Sequence, residues 1–320
     1  MARCSVCGRP AMAYVPYQRR HYCSTHYAEF VESKVKRTVK RYGLIRPGDR
    51  VVAAVSGGKD SATLLSTLAA LRREMEFDLV AFHVDLGIGD YSRESRRVVE
   101  ELAGILDVPL IVFSLQEELD FTVPSASMRL RRPACSICGV VKRYLYNAIG
   151  VELEAKVATG HNADDIASLA VKNFLAQELH AIRKLGPATE GIPGLAAPRI
   201  RPLYNVYERE SFLYVIAKGL PYLHRDCPHA RFTSLDFRVK EYLNRLEEEK
   251  PSLKLGFLNK LAERISSYPA AEASMERCKY CGLLSSSGVC SFCRLTSRLK
   301  GEALGVRVRE RIREMIGGLG

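Results

Sequence analysis

Apolar positions change period along the 320-residue chain, and each change marks an element. Between residues 27 and 46, Phe30, Val31, Val35 and Val39 recur at helical spacing among Lys34, Lys36, Arg37, Lys40 and Arg41. This predicts a helix with a charged face, stopped by Gly43 and Pro47-Gly48. Residues 51–55 form a continuous apolar run, and a helical pattern over 60–73 follows. A second run (78–84), a helix (92–106) and a third run (109–113) continue the alternation. Such alternation implies a parallel sheet with right-handed crossovers. A strand ending at Gly160 and a helix over 165–179 extend it. Residues 181–202 carry Gly and Pro without periodicity and read as a substrate-facing lid bearing Arg199 and Arg201. Helices are expected at 208–218, 234–248 and 253–267, and a basic helix or arm at 294–316. The fold class is α/β, a doubly wound parallel sheet.

Charge adds a partner. The net charge is +12, and residues 1–46 hold 10 Lys+Arg against 2 Asp+Glu. Residues 274–320 hold 9 against 4, while the middle of the chain is nearly balanced. A basic surplus confined to the ends fits a polyanion, nucleic acid above all. No stretch approaches the roughly 18 consecutive apolar residues of a membrane span. The N-terminal Met-Ala-Arg-Cys-Ser-Val-Cys-Gly lacks the apolar core of a signal peptide, so a cytoplasmic protein is expected.

Ten cysteines fall into three sets. Cys4-x2-Cys7 with Cys23-x2-His26 has the spacing of two knuckles around a tetrahedral Zn²⁺, with His21 as the competing histidine. Cys278-x2-Cys281-x8-Cys290-x2-Cys293 reads as a compact zinc ribbon. Three domains are expected: a zinc finger (1–27), a catalytic domain with a linker helix (28–273), and a ribbon with a basic arm (274–320). The third set is Cys135-x2-Cys138 with Cys227. Cys135 and Cys138 open a helix, whose positive end favours thiolates, and Lys142 follows one turn after Cys138. Spacing leaves three readings: an iron–sulfur cluster with one open iron, a zinc completed by His224 or His229, or a redox pair carrying a persulfide.

The most specific stretch is Ser56-Gly57-Gly58-Lys59-Asp60-Ser61, directly after the apolar run that ends with Ala54 and Val55. Glycines let the backbone turn tightly, and the following helix points N–H groups at the turn, which suits phosphate or pyrophosphate. The Walker A spacing is absent. His83 and Val84 end the neighbouring strand, where an adenine pocket would lie, although a histidine at a strand end also has plain structural uses. In Gly160-His161-Asn162-Ala163-Asp164-Asp165, one carboxylate suits Mg²⁺ or proton transfer, and N-capping by Asp164 is the structural alternative.

Taken together, these motifs resemble the TtuA-type tRNA 2-thiouridine synthetases and their wobble-uridine relatives, within the ATP pyrophosphatases. The resemblance spans nearly the whole chain. It implies a PP-loop, HUP-like domain flanked by two zinc modules. It implies ATP on Ala54, Val55, Ser56–Ser61 (Lys59 and Asp60 included), His83, Val84, Lys142, Gly160 and His161. It further implies a [4Fe–4S] cluster on Cys135, Cys138 and Cys227, Mg²⁺ or a proton handled by Asp60, Asp164 and Asp165, and action as a homodimer. The sulfur source would be a thiocarboxylated ubiquitin-like carrier or free sulfide. The expected reaction adenylates uridine O2 in tRNA, after which sulfur held at the open iron attacks C2 and AMP leaves. Lys142 would offset phosphate charge. Lys142-Arg143-Tyr144 is closer to the T-loop enzymes, the first expectation; Asn162-Ala163-Asp164-Asp165 is closer to the wobble-uridine enzymes, the alternative. Cytidine 2-thiolation and a non-catalytic zinc-ribbon RNA-binding protein remain competing classes.

Overall fold

The computed structural model describes residues 2–230, 233–270 and 275–318. The chain opens with a hairpin, β1 (Ala13–Val15) and β2 (Arg20–Tyr22), and a long helix α1 (Ser24–Arg41). The central domain then alternates: β3 (Arg50–Ala54), α2 (Lys59–Met75), β4 (Asp78–Asp85), α3 (Gly89–Leu106), β5 (Leu110–Ser114). Two short helices, α4 (Leu115–Leu119) and α5 (Val123–Leu130), lead to α6 (Ala134–Glu152), β6 (Lys156–Ala158), α7 (Ala163–Leu175) and α8 (Leu179–Ile182). Next come β7 (Ala188–Thr189), β8 (Arg199–Ile200), α9 (Glu208–Lys218), α10 (Leu235–Glu249) and α11 (Leu253–Glu263). The chain closes with β9 (Glu276–Arg277), β10 (Leu284–Ser285), α12 (Ser291–Lys300) and α13 (Gly305–Gly317).

Six strands form the main sheet in the order β5-β4-β3-β6-β8-β7, parallel except for β7. The continuous apolar runs are explained by burial of both faces. Val51, Ala53 and Val55 face one layer, with α1, α2, α3 and α9, whereas Val52 faces the other, with α5, α6, α12 and α13. β4 and β6 flank β3 on opposite sides, so the connection order reverses there. Crevices at such switch points, at the carboxyl ends of the strands, bind ligands in open α/β sheets. The loops after β3 and β6 are Ser56–Ser61 and Gly160–Asp165.

Three expectations change. Residues 181–202 are not a free lid: β7 and β8 add two strands to the sheet. Arg201 is buried and donates to the carbonyls of Gly186 and Lys184, so it braces the loop. Lys34 is not on the solvated face of α1 but buried, 2.7 Å from Glu210. The C-terminal basic arm is two helices docked on the domain. Arg309 and Arg313 pair with Glu152, and Arg311 with Glu118. The ribbon adjoins the same core: Phe292 stacks on Tyr144 of α6 at 4.0 Å, and the Tyr144 hydroxyl donates to the Gly305 carbonyl. No helix among the described residues is long and apolar enough to cross a membrane.

Candidate active site

The loop after β3 is held from three sides. Gly57 has φ +86°, and a side chain there would lie 2.9 Å from Ser95 Oγ. Ser95, on α3, donates to the Ser56 carbonyl at 2.7 Å. The Leu223 amide donates to the Gly57 carbonyl at 2.8 Å. Gly58 caps α2 without a side chain, leaving the helix end open to an anion. Ser61 donates to the Gly58 carbonyl, 3.5 Å from the Ser56 hydroxyl. Gly160 permits the second loop to approach: a Cβ there would lie 3.3 Å from the Asp60 carbonyl carbon.

His83 sits beside the first loop. Its Nδ1 is 2.9 Å from the Val55 carbonyl, an acceptor, so Nδ1 carries the proton and Nε2 is a bare acceptor. That Nε2 is buried and has no partner among the described residues. Burial also pushes the His83 pKa down. His83 and Val84 share a small cavity with Ser56, Ser95, Lys142 and Tyr146. An orphaned acceptor beside a phosphate loop fits a nucleotide that supplies the missing donor. Ser95 and Tyr146 escaped the sequence reading. Tyr146 had a signal, four residues after Lys142 on the same helical face.

Lys142 joins this cavity to the cysteines. Burial works against its charge, yet Tyr146, Cys138, Tyr91 and Cys227 hold its pKa above the usual value. Burial pushes the Cys138 thiol up, although Lys142 pulls it back. Cys135 is exposed and donates to the His229 carbonyl at 3.2 Å. His224 packs against Tyr222, with ring centroids 4.1 Å apart and the planes tilted by 37°. Among the described residues, two sets of ligand atoms lie within 4.8 Å of one another, and the three central cysteines are in neither. A tetrahedral zinc with bonds of about 2.3 Å draws its sulfurs to about 3.8 Å of each other. A cubane spreads its ligands over separate iron corners, so the wider central set fits a cluster better than zinc.

The two tight sets are Cys4, Cys7, Cys23 with His26, and Cys278, Cys281, Cys290 with Cys293. Cys7 and Cys23 sulfurs are 3.8 Å apart, as are those of Cys281 and Cys290. His26 Nδ1 lies 3.5 Å from the Cys4 sulfur, while the His21 ring packs, tilted, against Tyr14. Both sets have the dimensions of a zinc site.

The acidic residues behave differently from the expectation at one position. Asn162, not Asp164, caps α7, with Asp165 returning the bond to the Asn162 amide. Asp164 is buried, with one oxygen on Lys254 and the other on the Glu208 amide. Asp60 accepts from Asn162 and pairs with Lys59, and burial pushes its pKa up. Glu208, Lys240 and Lys254 carried no motif and were missed.

Fold and site together define a nucleotide-activating α/β protein of the PP-loop class. The PP-loop domain model matches residues 27–227, and the model for the N-terminal LIM domain of the 2-thiouridine synthetase TtuA matches residues 3–28. The chain belongs to the TtuA branch of the PP-loop family. It is 37% identical to the tRNA-5-methyluridine(54) 2-sulfurtransferase of Thermus thermophilus, over 91% of this chain and 90% of that one. It is 34% identical to the protein of the same name from Pyrococcus horikoshii, over 91% and 93%. The tRNA 2-thiolation protein NcsA of Haloferax volcanii is 31% identical over 93% and 99%. Among solved structures, the U34-tRNA thiolase NcsA of Methanococcus maripaludis, determined with its [4Fe–4S] cluster, shares the fold. The TM-score is 0.76 at 23% identity, covering 94% of this chain and 96% of that one.

Proposed function

We propose that this chain is an ATP-dependent tRNA 2-sulfurtransferase that converts a uridine to 2-thiouridine. The observation that carries it is the hydrogen bond from Leu223 to the Gly57 carbonyl. It ties the phosphate loop to the segment bearing Cys227, which supports a single site for activation and sulfur transfer.

ATP would seat its phosphates on Ser56–Ser61 and its adenosine against His83 and Val84, with Gly160 and His161 on the opposite rim. The α2 amides then stabilise charge on the departing pyrophosphate, while Lys142 offsets the α-phosphate. Uridine O2 attacks that phosphorus, and C2 becomes electrophilic. Cys135, Cys138 and Cys227 would hold a [4Fe–4S] cluster, which would supply sulfide-level sulfur to C2 as the C2–O bond breaks and AMP leaves. Asp60 and Asp165, at the loop rim, would hold Mg²⁺; Asp164 acts as a buried brace. Cys4, Cys7, Cys23 and His26 would hold one zinc, and the ribbon cysteines a second. A thiocarboxylated carrier or free sulfide would replenish sulfur. The enzyme would work as a homodimer in the cytoplasm. The similarity to two proteins named for position 54 favours the T-loop uridine.

Nucleoside mass spectrometry of tRNA from a deletion strain tests the function. Loss of 2-thiouridine derivatives mapped to position 54 is expected; loss confined to position 34 moves the target, and unchanged tRNA sinks the reading. Cys281→Ser tests the ribbon. Breaking a zinc site costs several kcal/mol, and each kcal/mol moves the midpoint of a chain this size by about 2–4 °C, so a fall of about 10 °C is expected in scanning fluorimetry. One zinc fewer by elemental analysis should accompany it.

A further inference from the structure

The two loops of the site are joined by a closed ring of ion pairs and hydrogen bonds, side chain to side chain except at the Asn162 main-chain amide. Asn162 donates to Asp60 at 3.0 Å, and Asp60 pairs with Lys59 at 3.0 Å. Lys59 pairs with Glu208 at 2.7 Å, and Glu208 with Lys240 at 2.6 Å. Lys240 pairs with Asp165 at 2.9 Å, and Asp165 accepts from the Asn162 amide at 3.2 Å, closing the circuit. Four segments contribute: the starts of α2, α7 and α9, and the middle of α10. We infer that Glu208 and Lys240 are positioning residues for ATP activation, which fix the loop after β3 against the loop after β6. The inference rests on the proposed tRNA thiolation.

The physical case has three parts. First, the ring alternates in sign, three carboxylates against two ammonium groups, so each lysine bridges two carboxylates. One broken link therefore leaves the neighbouring charges unbalanced. Second, Lys240 sits on a helix that buries none of its own residues. Its side chain is only 20% exposed, because the ammonium reaches inward to two carboxylates. A lysine meant only for solubility would point outward. Third, Glu208 opens α9, where the helix dipole favours a carboxylate. Burial opposes its charge, but Lys240 and Lys59 hold its pKa down at about 2. The link is therefore ionised throughout the physiological range.

Neither residue belongs to the loop motifs, although each pairs with a residue that does. Lys240 lies beyond residues 27–227, the span matched as the PP-loop domain. Their effect must pass through Lys59, Asp60 and Asp165. A misplacement of about 1 Å at a reacting centre costs on the order of 100-fold in rate.

The full-length protein, with its metals, is compared with Lys240→Met, Lys240→Arg, Glu208→Gln and the Lys240→Met/Glu208→Gln double variant. Two readouts are used: tRNA thiolation rates, and calorimetric affinity for a non-hydrolysable ATP analogue. In Lys240→Met, kcat should fall at least about 10-fold and analogue affinity by a similar factor, with KM for tRNA unchanged. Lys240→Arg should recover most of the loss, because it keeps the charge. The double variant should lose less than the product of the two single losses, since the Lys240–Glu208 link is common to both. Unchanged kcat and affinity in Lys240→Met overturn the inference. So does an arginine variant as poor as the methionine one, or a double variant whose losses multiply. If the unmodified protein binds the analogue but leaves tRNA unthiolated, the functional reading fails alone, and analogue affinity across the series still decides the ring.

Discussion

Gly57→Ala should reduce affinity for a non-hydrolysable ATP analogue by at least about 100-fold, whereas Gly58→Ala should retain it within a few-fold. The two glycines are neighbours, but their environments differ. Gly57 is at φ +86°, where an L-residue costs about 1–2 kcal/mol in backbone energy alone. Its new methyl would meet Ser95 Oγ at 2.9 Å and the Ser95 carbonyl oxygen at 3.2 Å. The hydroxyl could rotate away only by giving up its bond to the Ser56 carbonyl, and the carbonyl belongs to the backbone of α3. The loop must therefore move, and its amides lose their aim. Gly58 is at φ −75°, and its added methyl finds nothing nearer than Ser56 Oγ at 3.9 Å. Calorimetry on both variants separates geometry from a general intolerance of side chains. Equal affinities for the two would mean that the amides of this loop do not hold the phosphates.

Cys135→Ala should abolish tRNA thiolation while leaving analogue affinity within about twofold. Cys135 is exposed, and among the described residues its sulfur bonds the His229 carbonyl, so removing the sulfur opens no cavity. Cys138 and Cys227 pack against the core and would confound the same test with lost stability. Iron content measured anaerobically should fall with activity. If ATP binding and thermal stability collapse as well, Cys135 is a structural residue and the sulfur reading loses its most accessible ligand.

The sheet was legible because buried parallel strands need unbroken apolar runs, and Val51–Val55 and Leu79–Phe82 provide them. The loop after β3 was legible because Gly57 and Gly58 interrupt such a run directly before a helix. The two four-ligand sets were legible because knuckle spacing is local. What escaped depends on distance in space. Arg201 looked like a mobile cation, because nothing nearby in sequence tells of the Gly186 and Lys184 carbonyls it braces. Glu208, Lys240 and Lys254 sat in ordinary amphipathic helices, and their meaning comes from Lys59, Asp165 and Asp164 far away along the chain. Asn162 was overlooked as a cap because two adjacent aspartates drew the eye, although its side chain stands one residue before the helix.

The stacking of Phe292 on Tyr144 bears on the order in which the enzyme is made. The helix carrying Cys135, Cys138 and Lys142 is synthesised well before the segment that packs against its outer face. Tyr144 has no ring to lie on, and the Glu152 carboxylate no arginines, until residues 278–313 have emerged. The scaffold of the proposed sulfur site is thus finished last. A chain interrupted before that point would carry the complete phosphate loop and all three central cysteines, yet lack the wall that fixes α6 in place.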